Sequence, residues 1–158
     1  MKKIKVIIFT LFYLISTGCG FKVIEQSKIK NYEILEIREE GDKKINFFIK
    51  NELYNLLDAN DSSDQLAIDI STKKTKVIKE KNEKNQITKY NIEIISLVKL
   101  NFIDKGVTKT IKLKKDGFYN VDKNHTITRD SQKSTEKNLN DKLSEELSTK
   151  IFRIINEF

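Results

Sequence analysis

The chain has no proline and no tryptophan, one histidine and one cysteine, and the last two scarcities each remove a class of explanation. A lone thiol cannot close an internal disulfide, and one cysteine with one histidine does not make a zinc site. His125 sits in the polar segment Asp122-Lys123-Asn124-His125, where it could act as a base only with Asp122 or Asp130 as partner. No nucleophile elbow, phosphate loop or pair of metal-binding histidines accompanies it, so the expectation is a non-enzymatic protein with no catalytic residue, no metal and no cofactor. Long hydrophobic runs are scarce as well. The uncharged stretch from Val6 to Ile15 falls well short of the ~20 residues a spanning helix needs, and no later stretch is long enough. The formal charge of +7 is a modest lysine excess. No clustered aromatic-basic motif of a nucleic-acid reader goes with it, so nucleic acid is not an expected partner.

What is present at the amino terminus has a definite order. Lys2, Lys3 and Lys5 supply positive charge, the short apolar run follows, and Thr17 and Gly18 lead directly into Cys19. A positive start, a short apolar span and small residues at the cut are what a signal peptidase needs. The stretch Leu14-Ile15-Ser16-Thr17-Gly18-Cys19 resembles a bacterial lipobox, with Ser16 where leucine is usual and Leu14 and Ile15 displaced upstream. The expected organisation is therefore a signal peptide over 1–18, a lipidated polar tether over 19–31 and a single α+β domain over 32–158. Cys19 would carry a diacylglycerol and an N-linked acyl chain, anchoring the chain without spanning the bilayer. An ordinary secretory signal cut beside a chance cysteine is the other reading.

Along the domain the apolar period changes from segment to segment. Tyr32 to Ile37 reads as a short buried strand, with Leu35 and Ile37 on one face and Tyr32 and Ile34 on the other. Ile45, Phe48, Ile49, Leu53, Leu56 and Leu57 recur at three- and four-residue steps, which predicts a helix from Lys44 to about Leu57 with Asp42 as N-cap. Leu66, Ile68 and Ile70 alternate with Ala67 and Asp69, a half-buried strand, and lead through a lysine-rich run into a solvated hairpin end at Glu80 to Asn85. Tyr90, Ile92, Ile94, Val98, Leu100 and Phe102 occupy even positions interrupted only by Ser96, the longest period-2 pattern in the chain. Gly106 can supply the positive φ of a turn before the strand carrying Val107, Ile111 and Leu113. Asp116-Gly117 reads as a further turn, with Phe118, Tyr119 and Val121 able to prolong the sheet. Asp122 to Lys133 reads as polar loop. A last helix, capped by Ser134 or Thr135 and favoured by Glu136 at its positive end, carries Leu139, Leu143, Leu147, Ile151, Ile154 and Phe158. Its stripe broadens with Phe152 and Ile155, so its carboxyl end is expected to be the better buried.

The order is β-α-β-β-β-α, and two helices on one face of a mostly antiparallel four-stranded sheet would bury both helical stripes. This element order, together with the export signal and the Cys19-Gly20-Phe21 start, resembles the lipopolysaccharide-assembly lipoprotein family (LptE-type). The resemblance implies a plug and assembly partner for the outer-membrane β-barrel of lipopolysaccharide transport (LptD-type). It also implies attachment to the outer membrane within the barrel lumen, facing the periplasm, and help in delivering lipopolysaccharide to the outer leaflet. Two basic groups are candidates for lipopolysaccharide phosphates: Lys76, Lys79, Lys81 and Lys84 at the hairpin end, beside Val77 and Ile78, and Arg129 just before the last helix. Glu80 and Glu83 counter the first group, and a plain solvated face is its ordinary alternative. The rival function is a lipoprotein component of another lipid transporter, or a pilotin-like chaperone of another outer-membrane pore.

Overall fold

The computed structural model describes residues 32–57 and 64–157, so Cys19 and the expected leader and tether lie outside the described residues. Six elements follow in order: β1 (Tyr32–Gly41), α1 (Lys43–Leu56), β2 (Asp64–Lys81), β3 (Ile87–Phe102), β4 (Val107–Asn120) and α2 (His125–Ile155). They form an α+β fold with a four-stranded sheet in the order β1-β2-β3-β4. The two hairpins make β2, β3 and β4 antiparallel. β1 runs parallel to β2, as a strand joined to its neighbour through a helix must when that helix returns the chain to the starting end.

The period-2 pattern of β3 falls on the buried side as expected. Ile92, Ile94, Ser96, Val98, Leu100 and Phe102 all face the helices, opposite Leu66, Ile68 and Ile70 of β2 and beside Ile111 and Leu113 of β4. α1 contributes Ile45, Ile49, Leu53 and Leu56 to that core, and α2 contributes Leu139, Leu143, Leu147, Ile151 and Ile155. The carboxyl-terminal half of α2 is indeed its better buried part. Phe48 departs from the expected stripe. It lies at the surface edge-to-face with Phe47, while Asn46 is turned inward, donating to the Glu40 carbonyl and accepting from Thr72.

Asp42 caps α1, its carboxylate accepting from the Lys44 and Ile45 amides at 3.1 Å. Burial pushes this carboxyl upward, but the Ile45 amide, Lys74 and the Lys44 amide together bring it below its ordinary value. Gly41 makes the connection possible: its φ is +95°, and a Cβ there would stand 1.8 Å from the Thr72 carbonyl oxygen.

Four readings of the sequence are corrected. β1 is an edge strand, and an irregularity between Ile34 and Glu36 leaves Leu35 without a partner, so Ile37 joins Tyr32 and Ile34 on the helix side. Asp116-Gly117 lies inside β4 rather than in a turn: Gly117 opposes Ile92, and a Cβ there would come within 3.3 Å of Leu139 and Thr135. The missing side chain lets α2 lie close against the strand. Asp122 to Lys133 is mostly helix, because α2 starts at His125 with Asn124 as N-cap, its side chain accepting from the Thr126 amide. Ser134, Thr135 and Glu136 are therefore internal to α2. The sequence's apolar spacing starts only at Leu139, so it marks where the helix becomes buried and not where it begins.

Candidate functional site

The long hairpin of β2 and β3 and the early turns of α2 meet at one end of the molecule, and most of the predicted basic residues gather there. Alternation along β2 separates them onto two faces of the sheet. Lys76 lies on the helix-facing side, with Nζ 4.2 Å from the centre of the Tyr90 ring and 5.4 Å from that of Tyr119. Those two rings are cross-strand partners in the β3–β4 ladder and stack at 5.6 Å. Gln132 of α2 closes the cluster, its Oε1 accepting from Tyr119 Oη at 3.0 Å and from Lys76 at 3.4 Å. Gln132 in turn donates to Glu136, which pairs with Lys74 at 3.6 Å, and Lys74 reaches back to Asp42 at 3.3 Å. The network joins the hairpin to both helix entrances.

On the opposite face, Lys79 Nζ stands 4.2 Å and Lys89 Nζ 5.0 Å from the centre of the Phe118 ring, which is 53% exposed. Two ammonium groups beside one aromatic face form an amphipathic patch, and Val77 extends its apolar part. Lys89 is tied to Glu80 at 2.8 Å, so Glu80 neutralises one member of the pair. A cleft of about 360 Å³ borders this patch, lined among others by Lys79, Asp116 and Phe118 and, from α2, by Thr135 and Lys142.

At the hairpin tip Lys81 donates to Asn85 Oδ1 at 3.0 Å, and the Lys84 amide donates to Asn82. Asn85 takes the positive φ of the turn, +62°. Arg129 lies within α2 rather than before it, 67% exposed at its side chain, with Asp130 3.9 Å away. It is three residues before Gln132, one helical turn from the residue Lys76 reaches. The hairpin lysines and Arg129 therefore belong to the same end of the fold, without direct contact between them.

Tyr90, Tyr119, Phe118, Lys89 and Gln132 were not among the expected site residues. Tyr90 was visible as an inward position, but its pairing with Tyr119 depends on the β3–β4 register, and Gln132 lay in a segment read as loop. His125 opens α2, and neither carboxylate suggested for it serves it: Asp122 accepts from the Asn124 amide and Asp130 lies beside Arg129. Among the described residues no group of three or more His, Cys, Asp or Glu side chains is arranged to hold a metal. None of the described helices is long and apolar enough to cross a membrane.

No protein-family model matches this sequence, and no curated protein matches it. Solved structures do share its architecture. The crystal structure of rare lipoprotein B from Shewanella oneidensis superposes with a TM-score of 0.52 at 9% identity, covering 77% of this chain and 94% of that one. The solution structure of an uncharacterized lipoprotein B from Nitrosomonas europaea gives 0.54 at 8% identity, covering 82% of this chain and 90% of the other. At such identities the likeness is one of fold: the β-α-β-β-β-α arrangement of this chain is also the fold of two bacterial lipoproteins.

Proposed function

We propose that this protein is a non-enzymatic lipoprotein of the outer membrane, anchored through Cys19, that serves as plug and assembly partner of the lipopolysaccharide-transport barrel. The observation that carries this reading is a conjunction. A chain whose leader places its one cysteine directly after Thr17 and Gly18 also has a fold found in proteins named as lipoproteins. Acylation supplies the anchor physically, since each buried methylene contributes ~0.8 kcal/mol and several chains hold a domain that one would not. Gly20 rather than aspartate follows the cysteine, which by resemblance to the lipoprotein sorting rule favours passage to the outer membrane. The Lys79, Lys89 and Phe118 patch supports contact with lipopolysaccharide, because ammonium groups meet its phosphates while the ring and Val77 meet apolar surface.

Depletion tests the role. The barrel should misassemble and the cell should admit large antibiotics. Unchanged barrel levels with unchanged permeability would turn the assignment to a component of a different lipid transporter or a chaperone of another pore.

A further inference from the structure

β2 is longer than the strand beside it. β1 ends at Gly41 opposite Thr72, whereas β2 continues to Lys81, paired on its other side with β3. Among the described residues no strand covers β2 beyond Thr72 on the β1 side. In a ladder, successive residues turn their backbone groups to opposite sides. Ile103 donates to the Gln65 carbonyl, so odd-numbered residues of β2 face β3; Asp42 donates to the Thr72 carbonyl, so even-numbered ones face β1. The alternation leaves the amide and carbonyl groups of Lys74, Lys76 and Ile78 pointing from the open edge, up to the irregularity between Ile78 and Glu80.

An edge whose purpose is to repel other strands needs charge or a bulge, and this one has both. It also has what such an edge does not need. Val77 and Ile78 are each 49% exposed and lie on opposite faces, giving the same edge apolar surface above and below the sheet. The charge is one-sided as well. Lys73, Lys74, Lys76, Lys79 and Lys81 share this stretch with one acid, Glu80, which is already bonded to Lys89. Lys74 has Asp42 and Glu136, but the other four lysines have no carboxylate at ion-pair distance among the described residues. A second copy of the chain pairing here would set lysines against lysines, which opposes the contact.

We propose that the β2 edge over residues 73–78 takes an extended acidic segment of a partner protein as an added strand. Main-chain hydrogen bonds would supply affinity, carboxylates on the helix-facing side of the added strand would meet Lys74 and Lys76, and small apolar side chains on its other side would meet Val77. This inference concerns a protein partner and stands apart from lipopolysaccharide contact.

The test uses the full chain in mild detergent with an eight-residue peptide alternating glutamate and valine. Two further versions carry N-methyl groups on one or the other alternate set of amides. Binding is expected for the plain peptide. One methylated version should lose affinity at least tenfold, and the other, whose blocked amides face away, should keep it. Amide exchange at Lys74, Lys76 and Ile78 should slow at least tenfold when the plain peptide is bound. Equal binding of all three peptides would mean simple ionic attraction and would overturn the proposal, as would absence of binding, unchanged exchange at those amides, or self-association of the chain through this edge.

Discussion

Replacing Gly41 with alanine should be among the most damaging single-methyl changes in this fold. The residue holds φ at +95°, and the added Cβ would stand 1.8 Å from the Thr72 carbonyl oxygen. That neighbour is backbone, so no rotamer change relieves the clash and the end of β1 must move away from β2. Left-handed backbone for alanine costs about 1–2 kcal/mol. The displacement also weakens the hydrogen bond from the Asp42 amide to Thr72, about 1 kcal/mol, and the Asp42 cap of α1, about 1 kcal/mol more. The expected loss is about 3–4 kcal/mol, at the severe end of the range for point mutations. Gly106→Ala is the internal control: its φ is +61° but nothing lies within 4 Å of the added carbon, so only the backbone cost of about 1–2 kcal/mol is expected. Denaturant unfolding of both variants and the parent measures the difference. Losses equal to within about 0.5 kcal/mol would refute the claim that contact with Thr72, and not backbone sign alone, fixes Gly41.

Further outcomes follow from the charged groups. Lys79 and Lys81 changed together to Glu should lower lipopolysaccharide affinity about tenfold or more at low salt, with the difference from the parent shrinking as salt rises, while folding stays within about ±0.5 kcal/mol; Arg129→Glu is tested separately in the same titration, with a loss also expected. The Glu146 carboxyl is held below its ordinary value by Lys115 and then Lys150, so the unfolded chain takes up its proton first as pH falls. Its contribution to stability is present above the ordinary carboxylate value of about 4.3 and is lost as pH falls below that value and through the lower folded-state one; Glu146→Gln should flatten the pH dependence of the unfolding midpoint there. Cys19→Ser should abolish acylation, with mass spectrometry showing no lipid and fractionation showing loss of membrane attachment.

The parts of the fold visible in the sequence were those set by burial on one face. β3 announced itself through its even positions and α1 through its three- and four-residue steps, and Asp42 and Gly106 hold the cap and the positive φ expected of them. The start of α2 was hidden because its early turns lie over a polar cluster. Contacts there run through Gln132, Glu136 and Thr128 rather than apolar side chains, so no hydrophobic period marks them. The Ile34 to Glu36 irregularity shifted the alternation of β1, and strict two-residue counting could not see the extra residue. At the candidate site the lysines were legible as a charge run. Their division between the Tyr90–Tyr119 stack on one face and Phe118 on the other was not, because it follows from register.

The measurement that bears most directly on the functional account is identification of what copurifies with the full-length protein after mild detergent extraction of separated inner and outer membrane fractions. A stable one-to-one complex with the lipopolysaccharide-transport barrel is the predicted result. Copurification of a different pore or lipid transporter, or recovery of the protein alone from the inner membrane, would contradict it.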